Sequence, residues 1–98
     1  MNEPLPGQDL IERGLDDLAN GEESIASLLV LIGAPRLRRL GLRVPDSSTS
    51  RPEVRLYQRL ARVDSDSAHS RYNALVRRLV SYERAAEHAA TLMDREPA

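Results

Sequence analysis

Tyr72-Asn73-Ala74-Leu75-Val76-Arg77-Arg78-Leu79-Val80-Ser81-Tyr82-Glu83-Arg84-Ala85-Ala86-Glu87-His88-Ala89-Ala90-Thr91-Leu92-Met93 is the stretch that decides the fold of this chain. It holds one pattern without a break or a proline. Leu75, Leu79, Tyr82, Ala86, Ala89 and Met93 recur at alternating steps of four and three, which places them in one stripe along a helix. Val76 and Val80 widen the stripe in its first half. Begun near Ser67 and run to about residue 94, this helix spans roughly 40 Å at ~1.5 Å per residue. A compact domain of this size has a radius of gyration of only ~13 Å. The second half of the stripe is therefore expected to outrun the domain's own core and to lie against something else, a partner or a second copy.

Working outward, the ninety-eight residues make one small helical domain, 1–98, with no room for a second core. There is no Phe and no Trp, and the aromatics are Tyr57, Tyr72 and Tyr82. Leu, Val, Ile and Ala must fill the interior, which suits helix-on-helix packing. The absence of cysteine excludes a disulfide frame and a thiolate metal site. No apolar run approaches the ~18 residues of a membrane span, and the N-terminus has no signal-peptide core. A cytoplasmic protein is expected.

Five helices and no strands are expected, an all-α bundle. The first runs from Gln8 to Asn20 with Leu10, Ile11, Leu15 and Leu18 inward; Gly14 weakens it and Asn20-Gly21 stops it. The second, Glu22 to Ile32, is apolar almost all round and central, and Gly33 ends it. A short third, Pro35 to Leu40, stops at Gly41, with Leu42 folding back. Residues 43–51 form a polar linker loop, and residues 1–6 a flexible N-terminus. Pro52 opens the fourth helix, which reaches Val63 with Val54, Tyr57, Leu60 and Ala61 toward the core and Leu56 and Val63 bordering them. Asp64-Ser65-Asp66-Ser67 is rich in capping residues for the long fifth helix.

Charge is uneven. Residues 1–33 balance at −6, residues 34–62 at +6 and residues 63–98 at −1, and every basic residue is Arg. The middle is suited to a polyanion or an acidic protein face; the blander and better-supported reading is that the two ends of the chain neutralise each other in a bundle. Arg55, Arg59 and Arg62, spaced four and three apart, make a basic stripe on the fourth helix. Arg71, Arg78 and Tyr82 share a side of the fifth, and Arg and Tyr are enriched at interface hot spots. Together these six are the expected partner-binding residues.

Catalysis by this chain alone has little support. There is no phosphate-cradling glycine loop and no nucleophile elbow. His69 and His88 are nineteen residues apart with no second ligand at i+4, and Asp64 and Asp66 lack the glycine and distal glutamate of a calcium loop. No cofactor and no metal are expected. Two sharper patterns remain. The second helix, the turn Ile32-Gly33-Ala34-Pro35 and the Arg-rich third helix outline a helix-turn-helix, with Arg36, Arg38 and Arg39 as candidate nucleic-acid contacts; bulky Leu29 and the shortness of the third helix count against it. Arg62 and His69, six residues between them, have the spacing of a helical ribonuclease of the HEPN type, although Val63 follows Arg62 where that family prefers a polar residue.

Gly33-Ala34-Pro35-Arg36-Leu37-Arg38-Arg39-Leu40-Gly41, then Arg55-Leu56-Tyr57, then the run from Ser70 through Leu75 and Leu79 to Arg84, resembles small helical bacterial proteins that pair with nucleotidyltransferase toxins of the AbiEii class, over roughly Gly14 to Glu87. The resemblance implies a cytoplasmic antitoxin whose helices wrap the toxin and block access of nucleotide or tRNA, with nucleotide and metal held by the toxin. The first expectation is thus a non-enzymatic protein-binding module, an antitoxin; a small DNA-binding regulator is second and a helical ribonuclease third.

Overall fold

The structure, a computed structural model, describes residues 3–94; the expected mobility of Met1 and Asn2 lies outside them. Four helices follow one another: α1 (Gln8–Ala19), α2 (Ile25–Arg39), α3 (Pro52–Val63) and α4 (Ala68–Asp94). No strand occurs among the described residues. The described residues are all-α with a long C-terminal helix, as expected, but the count among them is four helices rather than five.

The difference lies at Gly33. The second and third expected helices are one, α2, continuous through Gly33 and Pro35. Gly33 is a crossing point instead of a stop. A Cβ there would meet Leu79 Cδ1 at 2.8 Å and Glu83 Oε2 at 3.2 Å, so the missing side chain lets α4 lie directly on α2. Pro35 forfeits one backbone hydrogen bond, a cost of about 3 kcal/mol in a helix interior. The last turn nevertheless persists, because it carries Ala34 and Leu37 into the core.

Gly14 plays the same part between α1 and α2. An added Cβ would collide with the Ala26 carbonyl oxygen and stand 2.5 Å from Val30 Cγ2. The expected weak spot of the first helix is where it approaches its neighbour most closely. Two other glycines behave as read. Gly21 and Gly41 take left-handed conformations, with φ of 72° and 98°. After Gly41, the Leu42 amide donates to the Leu37 carbonyl at 3.1 Å and the Leu42 side chain folds onto the core. α2 starts at Ile25, not Glu22, because Ser24 and Ser27 cap it reciprocally: the Ser27 amide donates to Ser24 Oγ at 3.0 Å and the Ser24 amide to Ser27 Oγ at 2.7 Å. Ser24 Oγ also donates to Asp17 Oδ2 at 2.6 Å, tying this cap to the end of α1.

α2 is the buried centre. Leu28, Leu29, Val30 and Leu37 are fully covered, joined by Ile11 of α1, Leu56 and Leu60 of α3, and Leu79 of α4. Between α2 and α3, Val44 is buried in the core and its carbonyl accepts from Arg38 Nη2 at 3.1 Å. Leu5 also packs on the core, so the N-terminal arm is tied down from there onward.

The molecule is elongated, 52 × 27 × 23 Å, with a radius of gyration of 14.6 Å. A compact chain of this length would have about 12.6 Å. Much of the excess is α4: Ala86 still packs on the core, but Leu92 and Met93 beyond it are 51% and 76% exposed. No described helix is long and apolar enough to cross a membrane.

Candidate partner-binding face

α3 has more apolar residues than one stripe can hold. Leu56 and Leu60, one turn apart, point at α2 and are fully buried. That choice turns Val54 and Tyr57 outward, where they are 44% and 39% exposed. Both were expected inside, with Leu56 at the border; the helix is rotated from that reading by about one residue, roughly 100°. Val63, at the helix end, is more exposed still.

Val54 and Tyr57 do not stand alone. With Tyr72 of α4, Gln58 and Glu53 they line an open, mostly apolar groove between α3 and α4. The Tyr57 and Tyr72 ring centroids are 5.9 Å apart with planes at 57°, a tilted aromatic pair. Burial pushes the Tyr72 phenol above its usual range, and the Glu53 carboxylate beside it adds to the shift. One and two turns beyond Tyr72 on the same side of α4 are Val76 and Val80, half-buried and outside the set that packs on the core.

The Arg stripe of α3 gathers round one acid, Glu23. Arg55 clasps the Glu23 carboxylate with both Nε and Nη2, the latter at 2.7 Å from Oε2. Arg59 Nη2 donates to the Glu23 carbonyl at 2.7 Å, while Arg59 Nε is buried without a partner. Glu23 is held below the usual carboxylate range, first by the Arg55 hydrogen bond. Arg62 is exposed and in no ion pair among the described residues, but its charge also helps to lower the Glu23 carboxyl. Arg51, at the start of the helix with φ of 51°, is exposed as well. Gln58 and Arg62 line the same small pocket as Glu23, Arg55 and Arg59, so the Arg stripe gathers on one side of α3, away from Tyr57.

The other expected site residues are placed differently. Arg36 is engaged by Glu87 at 2.6 Å and Glu83 at 3.8 Å, and Arg38 by Asp46 at 3.5 Å; Arg39 alone of the three is exposed without such a partner among the described residues. With α2 unbroken there is no turn between a first and a second helix, so the helix-turn-helix outline is absent. Arg71 and Arg78 do share a side of α4 and flank a shallow surface with Ile25, Ala74 and Leu75, Arg78 lying 3.5 Å from Asp9. Tyr82 is not with them. It is 8% exposed, and burial raises its phenol pKa. Arg36 with Glu83 and Glu87, and Arg55 and Arg59 with Glu23, pair the basic middle with acids of the two flanks, while Arg78–Asp9 joins the flanks to each other.

Two further groups bear on chemistry. His69 is exposed, with Nε2 3.3 Å from Asn73 Nδ2 one turn on. Glu83 is 5% exposed, facing the notch at Gly33; burial raises its pKa against the opposing pull of Arg36 and Arg39. No group of three or more His, Cys, Asp or Glu residues among those described could hold a metal ion.

The groove was missed in the sequence, although one signal was there. Val54, Leu56, Tyr57, Leu60, Ala61 and Val63 spread over about half the circumference of a twelve-residue helix, and a helix packed along one narrow line cannot bury them all. No family model, no curated protein and no solved structure matches this chain.

Proposed function

We propose that this chain is a non-enzymatic protein-binding module, and that its role is that of a cytoplasmic antitoxin seated on a co-encoded nucleotidyltransferase-type toxin. The observation that carries the reading is the α3–α4 groove. A small protein that leaves Val54 and a Tyr pair open between two helices, bordered by Glu53 and Gln58, has the apolar centre and polar rim of an interface. The exposed end of α4 supplies a second apolar contact at Leu92 and Met93. The antitoxin role itself rests on the sequence resemblance.

The test is co-expression with the neighbouring gene product, read as growth rescue and co-purification. The parent chain should rescue and co-purify. Val54→Glu should lose both without loss of helix signal, since Val54 supports no core. Arg36, Arg38 and Arg39 changed together to Ala should leave neutralisation intact. A non-toxic neighbour, or no complex with it, sinks the antitoxin role. Of the alternatives, the regulator reading has lost its helix-turn-helix frame, and the ribonuclease reading rests on Arg62 and His69 as two exposed basic groups flanking the α3–α4 turn.

A further inference from the structure

Apart from the groove, we infer that the small pocket lined by Glu23, Arg55, Gln58, Arg59 and Arg62 takes a single phosphate monoester. Charge is the first argument. Three guanidinium groups gather round one carboxylate, which leaves the pocket two positive charges in excess. A phosphate monoester carries about −1.5 to −2 at pH 7, the matching amount. Donors are the second. Glu23 accepts from Arg55 Nε and Nη2 with its carboxylate and from Arg59 Nη2 with its carbonyl. Each guanidinium has about five N–H donors, so most of those in the pocket are left over. Arg59 Nε is buried with no acceptor, and Arg62 is in no ion pair among the described residues. Phosphate offers more acceptor oxygens than a carboxylate, and Arg pairs with it bidentately. Size is the third. The pocket holds about 60 Å³. At about 10–15 Å³ for each water-sized sphere, that is room for roughly four to six of them, the bulk of one phosphate group.

Glu23 is then the pocket's internal anion. It holds Arg55 in place and competes with the ligand for Arg59. Its lowered carboxyl keeps it charged through the range, near pH ~6, in which a phosphate monoester takes its second negative charge. The ligand's own titration therefore sets the pH dependence of binding. A nucleic-acid strand suits the pocket less. Strand binding draws on a run of phosphate contacts. Here α3 opens with Glu53 and is followed by Asp64 and Asp66, and Glu22 adjoins Glu23, so the next phosphate along a strand would meet acids. The Arg residues at the end of α2 offer no equal site, since Arg36 faces two acids, Glu83 and Glu87.

The test uses the full isotope-labelled chain and follows the arginine Nε–H resonances by nuclear magnetic resonance at low salt. Capped phosphoserine, uridine monophosphate and inorganic phosphate are titrated in turn. Dimethyl phosphate serves as the diester, and an oligouridine without a terminal phosphate as the strand. Arg55, Arg59 and Arg62 should shift together and saturably with a monoester, with a Kd below about 5 mM and at least about fivefold tighter than for the diester. Affinity should fall by about threefold or more between pH ~7.5 and pH ~5, as the monoester loses its second charge. Arg62→Ala should weaken binding by at least about fivefold, and Glu23→Gln, which removes the competing charge, should tighten it by about threefold, with circular dichroism unchanged in both. Whichever monoester binds most tightly names the source: a phosphorylated partner side chain, a nucleotide or free phosphate. No saturable shift at these three residues, equal binding of the diester, weaker binding by Glu23→Gln, or tighter binding of the oligouridine overturns the inference.

Discussion

Gly14→Ala separates the sequence reading from the packing more sharply than any other single change. Read from the helix alone, the substitution should stabilise, since Ala exceeds Gly by about 1 kcal/mol in a helix interior. The packing reverses the sign. The new methyl would collide with the Ala26 carbonyl oxygen and stand 2.5 Å from Val30 Cγ2. The first neighbour is backbone in the first turn of α2 and cannot rotate away. Forcing atoms into a filled interior costs about 1–3 kcal/mol or more, and a rigid backbone contact belongs at the upper end. After the propensity gain, a net loss of about 1–2 kcal/mol is expected. For a domain of this size each kcal/mol moves the midpoint by about 4–8 °C. Thermal unfolding followed by circular dichroism should therefore show Tm lowered by about 5–15 °C. Trimming Val30 to Ala in the same chain should not restore it, because the carbonyl remains. An unchanged or raised Tm for Gly14→Ala would refute the account of Gly14 as a point of closest approach between α1 and α2.

Other outcomes follow from the buried and paired groups. Tyr82→Ala should destabilise by about 3–5 kcal/mol, as loss of a buried aromatic does, and so should fail the fold test that a true surface anchor passes. Glu83 has a raised carboxyl pKa, so its favourable contribution is present below the ordinary carboxylate range and lost as pH climbs through the raised value. Glu83→Gln should then match the parent in acid and exceed it at neutral pH in urea titrations; a variant less stable at pH 7 than the parent would contradict this. Glu23 runs the other way. Its pKa is depressed, so its contribution holds above the ordinary range and fades as pH falls through the lowered value, and Glu23→Gln should cost stability at neutral pH but not in strong acid. In the free chain, amides near residues 89–93 should exchange quickly and those around Leu79 slowly; protection of both in a proven monomer would mean that the end of α4 is covered from within.

The legible parts of the fold were those written in local chemistry. The α4 stripe, the stops at Gly21 and Gly41 and the start at Pro52 each depend on residues within one turn of the feature. Gly33 and Gly14 were misread because a glycine signals a helix end and a close helix crossing with the same letter. Only the neighbour that fills the gap, Leu79 in one case and the Ala26 carbonyl in the other, tells them apart. The α3 face went wrong for a related reason: apolar residues on two sides leave the choice of inner face to the rest of the bundle. Tyr82 was legible, since it belongs to the stripe with Leu75 and Leu79; placing it also on an outward face with Arg71 and Arg78 asked one side chain to look both ways. Among the expected binding residues, the sequence showed which carry charge but not which spend it internally, because Glu23 and Arg55 are far apart in the chain.

The pairing of Glu83 with the notch at Gly33 also acts along the helix axis. α2 and α4 meet through aliphatic side chains of similar bulk, and no Phe or Trp keys one helix to the other. A slide of α4 by one turn, about 5.4 Å, would keep apolar sides roughly in register with each other. It would also carry the Glu83 carboxylate out of the notch and toward Leu29 or Leu37, both fully buried, and away from Arg36. Burying an unpaired charge there is costly, so the acid works as a detent that leaves the helix one permitted position. Its removal has a double consequence. Glu83→Leu should give a chain that resists denaturant better yet no longer chooses a single alignment, visible as doubled or broadened amide resonances along α4. A groove whose far wall can shift by a turn cannot present Tyr72 to Tyr57 at a fixed spacing, so the acid hidden beneath α4 sets the geometry of the surface on its other side.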